Sequence, residues 1–324
     1  MDLRQLRYFV GIVQAGSLSR AADQLHVAQS AISHHLASLE DELDRQLVVR
    51  GPKGIALTEA GTVLYGHAES ILRHVESAKQ GAMSARNIPS GRVSIGFPSV
   101  LAPILSGELF ARIRIRYPQI LLHVSDGNSW LVRERLMNGR LDIAVLFESE
   151  PERGIAVEPL LYEELFYVTA DPADTAAVRI ADVAKRPLLM PSRSSTSWQI
   201  VQEAFSKHGL TATWIGEIDA LSTYRLAIAS GLANGVLPRS AAYDADWKAK
   251  LSYRRIADVM LTRPIALCFS EVTERNPAID AVACTLKSLV RELVESGTWQ
   301  GVSLIEPVQA SSIGSARSGF PAHP

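Results

Sequence analysis

The chain has 324 residues, 47% of them apolar and 21% charged, with a formal net charge of -1. That composition supports a sizeable buried core rather than disorder, and the length suits about two domains. The near balance of charge excludes a global pull towards nucleic acid or acidic membranes, so any such binding must come from a local face. No run approaches the ~18 apolar residues of a membrane span. The opening, MDLRQLRYFVGIV, sets Asp2, Arg4 and Arg7 inside its apolar pattern, unlike a secretory leader. A cytoplasmic location, with no membrane partner, is therefore expected. Cys268 and Cys284 sit in apolar runs without Cys-x-x-Cys spacing and read as small buried hydrophobes in a reducing compartment.

The first ninety residues read as helices. Leu3, Leu6, Val10 and Val13 share a face, with Asp2 as N-cap and Gly16 as terminator. Ser17 caps a second helix with an inner face of Leu18, Ala21, Ala22 and Leu25. After HVAQ, a third helix is predicted to bury Ile32, Leu36, Leu39 and Leu43. A helix followed by helix, short turn and helix is an arrangement many DNA readers use. Two β-prone runs, Leu47 to Arg50 and Gly54 to Thr58, then flank the turn Gly51-Pro52-Lys53, which predicts a two-stranded wing with a cationic tip.

Thr58 caps the next predicted helix. Its residues Ala60, Leu64, Ala68, Ile71, Val75, Ala78 and Ala82 recur at steps of 4, 4, 3, 4, 3 and 4. This period of about 3.5 residues suits the seam of a helix pair. Because the helix leads away from the wing, pairing between two chains is favoured over packing on its own domain. Leu64, Ala68, Ile71 and Val75 are its dimerisation candidates.

A boundary follows at NIPSGR, Asn87 to Arg92, beyond which short apolar strands alternate with helical stretches. RVSIGF, ILLHVS, LDIAVLF, LLM and IALCF predict a mostly parallel sheet covered on both faces. The Ser-, Gly-, Ala- and Pro-rich tail from Gly297 has no apolar period and reads as disordered.

With these pieces in order, the chain resembles a bacterial LysR-type transcriptional regulator. The likeness is carried by LRQLRYFVGIVQAGSLSRAADQLHVAQSAISHHLASLEDELDRQLVVR, then LTEAG, VSIGF, GRLDIAV and SGLANGVLP. Within the family it looks closest to the nitrogen assimilation control branch. The resemblance implies a multi-domain α+β chain: a winged helix-turn-helix over 1–58, a linker and dimerisation helix over 59–88, and an effector-binding domain over 92–296. That last domain would comprise two α/β subdomains like those of periplasmic solute-binding proteins, 92–161 with 265–296 and 162–264, ahead of the tail 297–324. The chain departs from the family at Ser30, often Pro, at His34, often Arg, and in the wing turn Gly51-Pro52, which elsewhere carries more polar or basic residues. These departures bear on base preference rather than on fold.

The third helix presents Gln29, Ser30, Ser33, His34 and Ala37 opposite its apolar stripe. Gln pairs bidentately with adenine, Ser with several bases, and Ala37 can touch a thymine methyl. Ser17, Ser19, Arg20, Arg50 and Lys53 complete the expected DNA-binding set, with phosphate at the helix starts and wing. Alone, the row of polar residues on the third helix would read as a solvated helix face; the wing and the resemblance turn it into a reading surface. Residues 1–58 hold six Lys/Arg and six Asp/Glu, yet no acid lies between Val27 and Leu39. The local surface is thus expected to attract phosphate although the domain is neutral.

In the second half, ligands belong beyond the carboxyl ends of strands, between subdomains. Ser99, Val100, Asn128 and Phe147 on one side, with Ser192, Arg193, Ser195 and Thr196 on the other, are the effector-binding candidates. The amide and hydroxyl of Ser99 suit an anion, and Arg112, Arg114 and Arg116 read as a solvated face. No catalytic set, metal motif or cofactor fingerprint is present. The expected function is an oligomeric, sequence-specific DNA-binding regulator. Its partners would be a promoter inverted repeat, a second copy as dimer or tetramer, RNA polymerase, and a small carboxylate or other anion. Two alternatives stand beside it: a regulator controlled by abundance without an effector, and a solute-binding protein, which would leave the first ninety residues unexplained.

Overall fold

The computed structural model describes residues 1–51, 54–83, 88–147, 150–151, 153–170, 176–243, 245–248 and 250–305. Local signals set the first three helices. α1 (Leu3–Ala15) starts where the Asp2 carboxylate accepts from the amides of Arg4 and Gln5, and the Gln5 side chain accepts from the Asp2 amide in return. It ends at Gly16, whose φ of 64° favours glycine. α2 (Leu18–Leu25) is capped by Ser17, whose hydroxyl accepts from the Arg20 amide. α3 (Gln29–Leu43) follows. Their core joins Leu6, Phe9, Val10 and Ile12 to Leu18, Ala21, Ala22, Ile32, Leu36 and Leu39. The buried stripe of α1 thus centres on Phe9 and Ile12, so Leu3, expected inside, is exposed, as is Leu43 in the last turn of α3.

The wing is an antiparallel pair, β1 (Val48–Gly51) and β2 (Gly54–Leu57), with Val48 opposite Leu57. It is docked on the α1–α2 turn: the Ile55 amide donates to the Gly16 carbonyl at 3.1 Å. A Cβ on Gly54 would lie 2.7 Å from that oxygen, and its φ is 111°. α4 (Glu59–Met83) begins where the Thr58 hydroxyl accepts from the Gly61 amide at 2.9 Å. Gly61 is required there, since a Cβ would sit 1.9 Å from the Leu47 carbonyl oxygen. Gly61→Ala must push α4 off the wing, and a loss of about 2–4 kcal/mol in unfolding free energy is expected. Urea denaturation checks this, and a loss below ~0.5 kcal/mol would contradict the close approach.

The second half contains β3 (Gly91–Pro98), α5 (Ala102–Arg116), β4 (Ile120–Gly127), α6 (Ser129–Met137), β5 (Ile143–Leu146) and the long β6 (Ile155–Thr169). Then come α7 (Ile180–Ala184), β7 (Pro187–Met190), α8 (Thr196–Lys207), β8 (Thr213–Glu217), α9 (Leu221–Ala229) and β9 (Gly235–Pro238). α10 (Ala245–Lys248), β10 (Ser252–Arg254), β11 (Thr262–Ser270), α11 (Pro277–Glu295) and β12 (Val302–Leu304) complete the order. The main sheet runs β10-β6-β11-β5-β3-β4, with β9 and β12 also on β6. It is mixed, not mostly parallel. β3 pairs in parallel with β4 and β5, but β11 runs antiparallel to β5 and β6, and β6 antiparallel to β9, β10 and β12. Apolar strand runs look alike in either direction, because direction is set by the connections.

β6 and β11 are the two strands that pass between subdomains. At ~3.3 Å per residue, the 15 residues of β6 are long enough to serve two cores. Leu160, Leu161, Ile265 and Leu267 pack with the first core, and Leu165, Tyr167 and Leu261 with another. Between them the register shifts at Ile265 and Ala266, opposite Leu161 and Pro159.

The segment after α11 corrects the expectation of disorder from residue 297. Gly297 and Gly301, at φ of 70° and 74°, turn the chain back, and Trp299 is 2% exposed. β12 then adds to β6, with Val302 opposite Glu163. One large buried side chain outweighs the polar composition around it. The expectation for residues 306–324 lies outside the described residues. Cys268 is buried as expected, whereas Cys284 is exposed on α11. Arg112 is not merely solvated: it pairs with Glu108 and Glu292 at 2.8 Å each, which pins α5 to α11.

Candidate DNA-reading face and interdomain cleft

On α3, Gln29, Ser30, His34 and Ala37 are exposed and Ser33 is half-buried, all away from the Ile32-Leu36-Leu39 stripe. No side chain caps the start of α3, since Ala28 stands at the N-cap, so its first amides remain available to an anion. The two histidines divide: His35 packs edge-on against Tyr8 at 5.1 Å, while His34 faces outward. Ser19 and Arg20 are exposed at the start of α2, and Arg50 on β1. The Ser17 hydroxyl is engaged as the α2 cap, and Lys53 lies outside the described residues. The acids at the far end of α3 include a structural one: Glu40 accepts from the Leu47 and Val48 amides at 2.7 and 3.2 Å, holding the wing to the helix.

One residue of the expected seam on α4, Ala68, needs correction. Ala68 is fully buried, with Leu64 and Ile71 half-buried, against the core of their own domain. Ala68 therefore has no surface left for a second copy. Val75 is half-buried, and Val63, outside the predicted seam, is 61% exposed. α4 also contacts the second half: the Ser70 hydroxyl donates to the Gly139 carbonyl at 3.1 Å, and Glu69 lies 3.8 Å from Arg140.

Three strand ends meet in one cleft. Ser99 and Val100 follow β3, Asn128 precedes α6, and Phe147 follows β5. Ser192 and Ser195 face them from the turn between β7 and α8, and Thr196 from the first position of α8. Two departures limit its anion chemistry. The Ser99 amide is taken, donating to the Gly127 carbonyl at 2.9 Å, so only its hydroxyl is left for a ligand. Arg193 is not in the cleft: its side chain is 77% exposed and reaches Glu217 at 3.3 Å.

The cation in the wall is Arg263, on β11, which the sequence pattern did not single out. Its guanidinium donates to Glu163 on β6 at 3.0 and 2.7 Å and to the Ser197 hydroxyl at 3.1 Å, and lies 3.7 Å from the Phe147 ring centroid. Glu163 is fully buried and also accepts from the Trp299 indole N–H at 3.2 Å. The available signal was charge inside two apolar strands, Glu163 and Glu164 in LLYEELFYV and Arg263 in TRPIALCFS, since buried charges are seldom unpaired. Deeper in the cleft, burial pushes the Tyr224 phenol well above its ordinary range. It therefore stays protonated, donating to the Leu189 carbonyl at 2.6 Å.

The comparisons with known proteins agree along the chain. Residues 3–62 match the family described as bacterial regulatory helix-turn-helix protein, lysR family, and residues 86–291 match the LysR substrate binding domain. The nitrogen assimilation regulatory protein nac of Escherichia coli (strain K12) is 37% identical over 305 residues, covering 94% of this chain and 100% of that protein. The HTH-type transcriptional regulator BbuR of Bordetella bronchiseptica is 27% identical over 93% of this chain and 94% of its own. Among solved structures, a full-length OxyR variant from Pseudomonas aeruginosa superposes with a TM-score of 0.66 at 23% identity, covering 90% of this chain and 98% of that one. Full-length CbnR in complex with its target DNA gives 0.66 at 20% identity, covering 90% and 99%. No described helix is long and apolar enough to cross a membrane. The chain belongs to the LysR family and is a transcriptional regulator, with an N-terminal helix-turn-helix for DNA and a C-terminal effector-binding domain.

Proposed function

We propose that this regulator reads an inverted-repeat promoter site in the cytoplasm as a dimer or tetramer, with α3 in the major groove and the wing on phosphate. The carrying observation is the exposed row Gln29, Ser30, His34 and Ala37 above an uncapped helix start. Contact with RNA polymerase would follow from activation at such a site. Pull-down of fragmented genomic DNA with sequencing tests the reading. A shared motif of two half-sites spaced by about one helical turn or a multiple is the expected result, and recovery without a motif would refute it.

We further propose that the interdomain cleft holds a small anionic metabolite. The hydroxyls of Ser99 and Thr196, the Asn128 amide and the starts of α6 and α8 supply donors from both subdomains. A ligand bound across the cleft changes function only if it binds two subdomain arrangements unequally. The second reading, control by abundance without an effector, is favoured by one observation: the cleft's arginine is already neutralised by Glu163. A thermal-shift screen of small carboxylates separates the two. Hits raising Tm by about 2–4 °C that vanish in both Ser99→Ala and Thr196→Ala support sensing. No hit, together with unaided activation of transcription by the purified protein, refutes it.

A further inference from the structure

A second cavity shares no wall residue with the interdomain cleft. It has a volume of about 340 Å³, against about 100 Å³ for the cleft. Its walls come from four places: Ile104 on α5, the turn after β9, the strand β10 with Leu251 before it, and the segment after α11 that folds back through Trp299. Tyr243, Tyr253 and Trp299 give it flat apolar sides.

Two polar groups on this wall stand out. The Ser240 hydroxyl is buried, the residue being 3% exposed, and has no hydrogen-bond partner. Buried hydroxyls nearly always find one, so an acceptor or donor from outside the chain is called for. Arg239 is half-buried, and among the described residues its guanidinium is held by ring faces, 4.8 Å from the Phe166 centroid and 5.9 Å from that of Tyr253. Among the described residues no carboxylate lies within ion-pair distance of it. An arginine parked on aromatic faces keeps its planar fork of donors open to a carboxylate. In the first cleft Arg263 is already paired with Glu163, so the two cavities differ in the charge they offer.

We propose that this second cavity is a ligand site for a small carboxylate with a flat apolar body. The carboxylate meets Arg239 and the Ser240 hydroxyl, while the body lies among Tyr243, Tyr253 and Trp299. The site binds independently of the proposed effector cleft, so either can fail without the other.

Isothermal titration of the full-length protein with 4-hydroxybenzoate is the test, with 4-hydroxybenzamide as the uncharged comparison. The acid is expected to bind and the amide to bind about tenfold more weakly, a difference of one charge-assisted hydrogen bond. Arg239→Gln should weaken the acid by about tenfold or more. Thr196→Ala, in the other cleft, should leave its affinity unchanged. Ser240→Val narrows the cavity and removes the unpaired hydroxyl, so it should abolish binding while keeping or raising Tm. It serves as the decisive variant where Arg239→Gln does not fold. Absence of binding at millimolar acid overturns the proposal, as does full affinity in Ser240→Val, or loss in Thr196→Ala with retention in Arg239→Gln.

Discussion

Replacing Glu163 with alanine is expected to lower the unfolding free energy of the C-terminal domain by about 3–5 kcal/mol, against a usual total of about 5–15 kcal/mol. The size follows from what is left behind. Arg263 is 4% exposed and would keep only the Ser197 hydroxyl and the face of Phe147. Its charge would then stand in the interior without a counter-charge, and the Trp299 indole N–H would lose its acceptor. The pair itself adds little net stability, because desolvating both ions offsets most of their attraction. Glu163→Leu combined with Arg263→Met should therefore recover most of the loss. Glu163→Gln should fall between, keeping an acceptor for the indole while removing the charge. Urea denaturation of these variants and the parent protein, followed by circular dichroism, measures the series. A loss below ~1 kcal/mol for Glu163→Ala would mean that the pair is open to water in solution.

The same pair has a mechanical position. Glu163 and Arg263 face each other in the register of β6 and β11, the two strands that pass between subdomains. Phe147 reaches the guanidinium from the first subdomain, Ser197 from the second, and Trp299 from the segment after α11. Any change in the angle between subdomains must carry this network along or break it. A network in which each guanidinium nitrogen of Arg263 and the Trp299 indole N–H donates a hydrogen bond favours discrete arrangements over continuous bending.

Little of that network was legible in the sequence. Glu163 and Arg263 are 100 residues apart, and neither lies in a turn or motif. Arg193 sits in a Ser-rich loop beside cleft residues, yet proximity along the chain does not bring its side chain into the cleft. By contrast, the caps at Asp2, Ser17 and Thr58 and the left-handed Gly16 were readable, because each is set by neighbours a few residues away. The stripe on α4 was readable as apolar, but not what covers it. A period near 3.5 suits a partner helix and a domain core equally, and Ala68 went to the core. The positions of Ser99, Asn128, Phe147 and Thr196 were legible for a general reason: turns after strands in such subdomains converge on one edge. Which polar atoms remain free there depends on hydrogen bonds such as that of the Ser99 amide with Gly127, which no local pattern encodes.

The DNA face carries the other large expected effect. Gln29 and His34 are exposed on α3, while Ser33 is half-buried. If these side chains read bases, Ser33→Ala and His34→Ala should each relax discrimination by about 1–3 kcal/mol for every base no longer read, with His34 the larger for its greater reach. Gln29→Ala should do the same at an adenine, where the side-chain amide makes two bonds at once. Lys53→Ala, at the wing turn, should instead weaken all sequences alike and reduce the slope of binding against log salt by about one. None of the α3 changes should disturb folding, because the helix is held by Ile32, Leu36 and Leu39 on its other side and by Glu40 at the wing. Sequencing the fragments bound by each variant at two salt concentrations separates the two roles. A Ser33→Ala, His34→Ala double variant that still selects the same sites with undiminished preference would remove both residues from the reading surface, leaving recognition to Gln29, the helix start and the wing.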